Sequence, residues 1–424
     1  MFRKYRQQKL EKYVRRYFAS HQETKLIFVV GSSGTRMTKT MVATLLSQKY
    51  RVRMETQNQS SQIEILLSLL GISLPEAYSG AAWRQIFKSA KERCAQPATA
   101  DVTIQAIDMT APGILSWLQQ IVHPHICVVT SIEQRWVEQF GSPAALTNEV
   151  MQFANASGAV IVNRDEVPSD AAQYLTNPNI DTYGSTAAAE YHIEIADAAI
   201  ANGYQVNIVA PGYPEPLSVH LNVVGQRALR ASAAAVAVGT QFGMTNQDIV
   251  KSIMLIGPVP GNMNRLRGSQ GSTVIDCTNN ASVQDVEDGL QTLYAAEIPK
   301  CIALIGTING LGSTSAAEHQ RLGALCDPDF LEWVVTVGQE ANDHFAPAAR
   351  ARGCQVKSFM SPIDAGSFVH EKLHTDSLIL AVGSCEAYLE EAIKIFLHTT
   401  DEDQELVRQT PEWLAYKNER FTKM

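Results

Sequence analysis

Short apolar runs alternate along most of this chain with longer segments of helical periodicity. That alternation restricts the fold more than any other feature. KLIFVVG (25–31), YRVRMET (50–56), DVTIQAIDM (101–109), ICVVTSI (126–132) and GAVIVN (158–163) read as strands, being short, β-branched and bounded by turn residues. Between them, Met37 to Gln48 and SQIEILLSLLG (61–71) read as helices, the second ending on Gly71 as a C-cap. Strands alternating with helices imply an α/β fold with a mainly parallel sheet. The stretch 164–222 is less regular, and its runs YHIEI and LSVHLNV suggest small antiparallel strands. QRALRASAAAVAVGTQFG reads as a helix stopping at Gly243, and Thr245 is a candidate N-cap for a short helix after it. PVPGN (258–262) breaks both periodicities and reads as a linker. A second alternating unit comes next, with strands STVIDC, KCIALIG, LEWVVTVG, CQVKSFM and SLILAVG. It reads as a smaller, Rossmann-like C-terminal domain.

Several function classes are disfavoured. A formal net charge of −8 argues against nucleic acid as the main partner. Seven scattered cysteines without a CxxC pair fit reduced thiols in a cytoplasmic protein better than a disulfide frame or a zinc site. No apolar run reaches the length of a membrane span, and the N-terminus lacks a signal-peptide core. The opening MFRKYRQQKLEKYVRRYF carries Arg3, Lys4, Arg6, Lys9, Lys12, Arg15 and Arg16 against Glu11 alone. Leu10, Tyr13, Val14, Tyr17 and Phe18 recur at helical spacing, so residues 1–22 are expected to hold a basic amphipathic helix. Two readings stand. Residues 1–18 make a weak contact with an anionic membrane or a partner, or the apolar stripe packs on the next domain and the basic face is solvated.

GSSGTRMTKT (31–40) comes after the first strand and precedes a helix, the setting of a phosphate loop. Gly31 and Gly34 supply the turn. The spacing G-x-x-x-x-G-K-[ST] is absent, and Thr38 stands where its second glycine would be.

Further segments occur in a telling order: IDMTAPGIL, ICVVTSIEQRWVEQFGSPAAL, VVGQRALRASAAAVAV, PVPGNMNRLRG, VIDCTNNASVQDV, LEWVVTVGQEA and LILAVGSCEAYLEEAI. With the glycine loop and NQSSQIEILLSLLGI they resemble the Mur ligases, in the branch that adds D-alanyl-D-alanine to the UDP-linked tripeptide. The resemblance covers about residues 25–398. It implies a central ATPase-type domain of the phosphate-loop kind (23–262), a Rossmann-like C-terminal domain (263–400) and a tail (401–424). The usual N-terminal UDP-binding domain is expected to be missing, with the basic helix in its place. The chemistry implied is ATP- and Mg2+-dependent amide formation through an acyl phosphate, in cell-wall precursor synthesis.

The resemblance also implies a nucleotide site at Gly31, Ser32, Ser33, Gly34, Thr35, Arg36, Met37, Thr38, Asp276 and Asn280. Lys39 and Asp108 are the catalytic candidates, and Asp108 is the metal candidate, standing where the family has a glutamate. Several charge-bearing positions differ. Thr35 replaces the phosphate-bridging lysine and Arg36 the magnesium-side hydroxyl. Thr130 is kept, while Trp136 replaces a metal-side histidine, and indole cannot ligate a metal. Glu133 is a neighbouring carboxylate at a shifted position. Gly225 is kept, and Arg230 replaces an adenine-reading asparagine. Asn262 replaces a nucleotide-facing arginine, with Arg265 three residues on. Ala281, Gly383 and Ser384 match, whereas Val382 and Cys385 replace cations. The residues that make turns survive, and those that bring charge to phosphate or metal have mostly changed. Three readings are open: a catalytically degenerate homologue acting as scaffold or regulatory partner of another cell-wall ligase or precursor enzyme; an active acid–amino-acid ligase with a rewired phosphate and magnesium site; or a module that holds a nucleotide or peptidoglycan fragment without turnover.

Overall fold

The computed structural model describes residues 2–55, 61–75, 77–133, 135–199, 202–296, 298 and 301–421. Thr56 and Lys300, at the ends of two expected strands, lie outside the described residues, as do Met1, Gln134 and the last three residues of the expected tail. The chain forms two compact units. Unit 1 comprises Met1–Ala196, Gln205–Leu221 and Leu229–Ile256; unit 2 comprises Asp197–Tyr204, Asn222–Ala228 and Gly257–Met424.

Unit 1 is built on a nine-stranded sheet. Its strands are β1 (Lys25–Gly31), β2 (Val52–Met54), β3 (Val102–Asp108), β4 (Ile126–Val129), β5 (Ala159–Asn163), β6 (Ile180–Gly184), β7 (Tyr191–Ala199), β8 (Gly203–Val209) and β9 (Leu217–Leu221). Their order is β2-β3-β1-β4-β5-β6-β7-β8-β9. Every pair from β2 to β7 is parallel. The central strands β1, β4 and β5 are buried almost throughout, as continuous apolar runs in a covered parallel sheet should be. The YHIEI strand, expected among small antiparallel strands, pairs parallel with β6 at Tyr183↔Tyr191 and Gly184↔His192, and its other neighbour is β8, which begins at Gly203 with only three residues between it and the end of β7. The loop from β6 to β7 returns the chain beside the end of β6 instead of folding it back along that strand.

Four helices pack near the basic N-terminus and the glycine loop: α1 (Phe2–Ser20), α2 (Thr35–Leu46), α3 (Gln62–Leu70) and α4 (Gly80–Ala95). A capping box between Ser61 and Glu64 starts α3, and Gly71 ends it at φ +63°. Leu10, Val14 and Tyr17 of α1 are buried in one core with Ile63, Leu66 and Leu70 of α3 and Trp83, Ile86 and Ala90 of α4. The N-terminal apolar stripe therefore packs on unit 1. Burial of each such side chain contributes about 1.5–3 kcal/mol. Among the described residues no helix is long and apolar enough to cross a membrane.

Unit 2 has a six-stranded sheet: β10 (Asn264–Arg267), β11 (Thr273–Cys277), β12 (Cys301–Gly306), β13 (Leu331–Val337), β14 (Val356–Phe359) and β15 (Leu378–Val382), in the order β10-β11-β15-β12-β13-β14. Among the described residues its strand pairs are parallel except β10–β11, which is antiparallel. Both units are thus α/β, with mixed, mostly parallel sheets. Residues 401–421 are fastened to unit 2. The Arg408 guanidinium donates twice to Glu390, at 2.8 and 2.6 Å, and to the carbonyls of Thr278 and Asn279 at 2.7 and 2.8 Å. Lys417, itself buried, reaches the fully buried Glu390 at 3.3 Å.

Candidate functional site

In open parallel sheets the carboxyl ends of the strands are where ligands bind. In unit 1 that edge carries the glycine loop. Gly31 ends β1 beside Asp108, which ends β3, so the loop and the acid adjoin through strand register alone. A Cβ at Gly31 would overlap the Thr130 hydroxyl and come within 2.8 Å of the Ser131 nitrogen. Glycine is therefore required for the loop to lie this close to the end of β4. Gly34, at φ +73°, turns the chain into α2, a conformation that glycine adopts without steric cost.

Hydroxyl groups stitch the loop together. Ser32 donates its amide to the Ser131 carbonyl at 3.1 Å, and Ser33 donates its amide to the Ser131 hydroxyl at 2.9 Å. The Thr130 hydroxyl donates to the Ser33 carbonyl at 2.6 Å. The Ser33 hydroxyl donates to the Glu133 carboxylate, and the Thr35 hydroxyl to the Asp108 carboxylate. The Glu133 amide returns to the Ser32 hydroxyl at 3.2 Å. β4 stops at Val129, before the expected end at residue 132, because Thr130 and Ser131 serve this network.

The cations are placed differently. Lys39, in the second turn of α2, is 1% exposed. Burial, opposed by Asp108, holds its amine down to about 8. Arg36 is half-buried, and Met37 and Thr38 are buried. Trp136 is half-buried at φ +64°, outside the usual range for a bulky side chain, and the Arg135 guanidinium lies 5.4 Å from its ring centre. Arg230 and Glu166 form an ion pair at 2.8 Å with side chains 7% and 6% exposed.

The remaining sequence-selected residues belong to unit 2. Asp276 is fully buried. It accepts from the Gly261 amide at 3.1 Å and from the Thr278 amide and hydroxyl at 3.0 and 2.6 Å. Burial raises its carboxyl to about 6. It thus holds the 261–278 turn together. Asn280 is half-buried at the start of the loop leading to the helix Val283–Ala295. The Ser384 hydroxyl accepts from the Asn309 amide and donates to the Ala281 carbonyl, while Cys385 is half-buried. Arg265 donates to Asn222 at 3.0 Å, and the Asn262 side chain donates to the Pro260 carbonyl at 2.9 Å. The structure therefore gathers Gly31–Lys39, Asp108, Thr130 and Glu133 in unit 1, and places Asp276, Asn280, Ser384 and Cys385 in unit 2.

The central domain can be placed among known proteins. Residues 29–239 match the Mur ligase middle domain. The chain belongs to the Mur ligase family. It is 22% identical over 383 residues to a UDP-N-acetylmuramoyl-tripeptide–D-alanyl-D-alanine ligase of Bacillus subtilis, covering 88% of this chain and 75% of that protein. It is 21% identical over 330 residues to the Escherichia coli protein of the same name, covering 75% of this chain and 65% of that protein. The chain thus spans roughly two thirds to three quarters of those relatives. Among solved structures, MurF from Acinetobacter baumannii superposes with a TM-score of 0.72 at 20% identity, over 90% of this chain and 78% of that one. MurF ligase from Thermotoga maritima in complex with ADP also gives 0.72, at 17% identity, over 94% and 84%. At these identities the structural matches establish the fold.

A magnesium nucleotide is the group the Mur ligase fold implies, and in this structure several loop groups that would meet one are engaged by the protein's own hydrogen bonds. Two loop amides are taken by Ser131, Asp108 accepts from Thr35, and the lysine nearest the loop is enclosed. Mg2+ commonly takes one or two carboxylates, with phosphates and waters completing its shell. Here Asp108 and Glu133 are each bonded to a loop hydroxyl, and no three potential ligands cluster among the described residues. Sequence reasoning set Glu133 aside, and the Glu166–Arg230 pair escaped it. A residue-type signal existed for the first, since two hydroxyl residues precede Glu133 in TSIE. None existed for the second, because the partners are far apart in sequence.

Proposed function

We propose that this chain is a Mur ligase homologue related to the D-alanyl-D-alanine-adding branch that has given up phosphoryl transfer and acts as a scaffold or regulatory partner in peptidoglycan precursor assembly. The observation that carries the reading is the bond from the Thr35 hydroxyl to Asp108. A neutral side chain, at the position where the family resemblance puts a phosphate-bridging lysine, bonds one oxygen of the carboxylate that would face magnesium. Phosphoryl transfer depends almost entirely on positioned charge, and loss of a single stabilising donor already costs a factor of about 100–1,000. The fold, the glycine turn and the hydroxyl network persist without that charge.

The reading is tested with the purified full chain, MgATP, UDP-N-acetylmuramoyl-tripeptide and D-alanyl-D-alanine. The expected result is no ATP-dependent phosphate release or amide formation. Turnover that Asp108→Ala abolishes overturns the proposal in favour of an active ligase with a rewired site using Asp108 with Lys39 or Arg36. Calorimetry adds a second readout. Thr35→Lys releases Asp108 and adds a cation at the loop, so it should tighten MgADP binding about 10–100-fold over wild type, the range of one charge-assisted hydrogen bond. Equal binding by wild type and Thr35→Lys refutes the role given to Thr35.

A further inference from the structure

The packing of α1 on unit 1 leaves a second question open, because burying Leu10, Val14 and Tyr17 does not use the basic residues between them. Contacts between α1 and α4 advance together along both helices. The Arg6 guanidinium lies 5.0 Å from the centre of Trp83, and the Lys9 amine 4.2 Å from that of Phe87. The Cys94 thiol donates to the Tyr13 carbonyl, and the His21 ring pairs with the Gln96 carbonyl at 2.8 Å. The two helices therefore run side by side in the same direction. On α1, Tyr5, Lys9, Lys12 and Arg16 recur at intervals of three and four, so they form one stripe on the solvent side of this seam. Arg84, Lys88 and Lys91 form the matching stripe on α4. Lys12, Arg16, Arg84, Lys88 and Lys91 are exposed.

The charge is concentrated. The two helices together carry eleven Lys and Arg against Glu11 and Glu92, in a chain whose overall balance is −8. Glu11 is engaged by Gln7 at 3.0 Å and by the Trp117 indole at 2.8 Å. Aromatic rings accompany the cations. Tyr5 is 61% exposed, and Tyr78, stacked at a tilt 5.5 Å from Trp83, is 42% exposed.

We infer that the paired outer faces of α1 and α4 form a docking surface for an anionic membrane. Charge complementarity is the first argument, since each Lys or Arg held near an anionic bilayer contributes about 1 kcal/mol. The exposed tyrosines are the second. Phenol rings set among cations suit the headgroup region, where an apolar body and a polar tip are both accommodated. The shape is the third, because two parallel helices in one layer present a broad face to a broad surface. Charges more than about 8 Å from that face are screened at physiological salt, so the acidic remainder of the chain is little felt there.

Vesicle flotation of the full chain tests this. Vesicles of phosphatidylcholine with one third phosphatidylglycerol should carry the protein upward at low salt and release it at about 0.5 M salt, and pure phosphatidylcholine vesicles should not carry it. The variant K12Q/K88Q/K91Q alters only exposed side chains, so circular dichroism and melting should match wild type. Its partitioning onto anionic vesicles should fall about 100-fold. The inference is overturned if wild type stays behind at low salt, if the triple variant floats equally, or if duplex DNA displaces the chain from vesicles at a lower phosphate concentration than the lipid presents. The last outcome would assign the face to nucleic acid.

Discussion

The Arg230–Glu166 pair offers the sharpest quantitative test of how this site is built. Both side chains are more than nine-tenths buried and their charged atoms lie 2.8 Å apart. At a low effective dielectric their attraction offsets a desolvation cost of several kcal/mol per ion, and the net value of such a pair is small. Removal of one partner takes from the other a counter-charge at 2.8 Å. Glu166→Gln should therefore cost about 3–5 kcal/mol. For a unit of this size that lowers the melting temperature by about 10 °C. The double variant Glu166→Leu/Arg230→Met removes both charges and keeps the volume. It should recover to within about 1 kcal/mol of wild type or exceed it. Urea unfolding of the full chain and its variants at pH 7 measures all three free energies. A loss below about 1 kcal/mol for Glu166→Gln, or a double variant as unstable as the single, would refute the claim that this is a tightly coupled buried pair. The same reasoning covers Arg230→Asn, which brings back the residue type that resemblance expects there. It removes the Arg230 counter-charge from Glu166 and should be as destabilising as Glu166→Gln.

Lys39 and Gly31 yield two further outcomes, beside those expected of Thr35 and of the basic face. Lys39 has a folded-state pKa of about 8 against an ordinary value of 10.5. Between those values the unfolded chain holds a proton that the folded chain has released, so stability should rise as pH increases through that window; below about pH 8 the full penalty of the buried ammonium remains. Lys39→Met should stabilise unit 1 at pH 7 by about 2–3 kcal/mol and flatten the pH dependence of urea midpoints from 8 to 10.5. An unchanged slope would show that the buried amine is not responsible. Gly31→Ala should destabilise by about 1–3 kcal/mol or more, because the added methyl meets the Ser131 backbone, which cannot swing aside as a flexible side chain can. A variant that melts with wild type would contradict the tight approach of the loop to β4.

The alternation of apolar runs with helical segments was enough to read β1–β5 and β11–β15, because burial on both faces writes parallel strands as continuous apolar runs, whereas β6, β8 and β10 carry no such run and were not read. KLIFVVG became β1 residue for residue. α4 was not readable in the same way. Its buried positions Trp83, Ile86, Ala90 and Cys94 are sparse among Arg and Lys, and they are covered by Leu10, Val14 and Tyr17 of α1 in the same core. The parallel pairing of β7 with β6 was not legible, because alternation reports a half-buried strand and says nothing of the direction of its neighbour. At the site, the loop glycines were legible from the strand–loop–helix context, and Asp108 only through the family resemblance. The Thr35–Asp108 and Ser33–Glu133 bonds were not, since each joins residues at the ends of β1 and of a neighbouring strand, β3 or β4, that only the sheet order brings side by side.

The clamp on Glu390 has a consequence for the order in which the protein is made. β15 ends at Val382, and Glu390 lies on the next helix, so the sheet of unit 2 is complete before Arg408 and Lys417 have been synthesised. Domains tend to fold as units while the chain emerges. A nascent chain that stops short of Arg408 would have every strand of unit 2, a carboxylate destined for full burial and neither of its counter-charges. A chain truncated just before residue 408 should therefore keep every strand of unit 2 and yet be less stable than the full chain, because Glu390 loses both counter-charges.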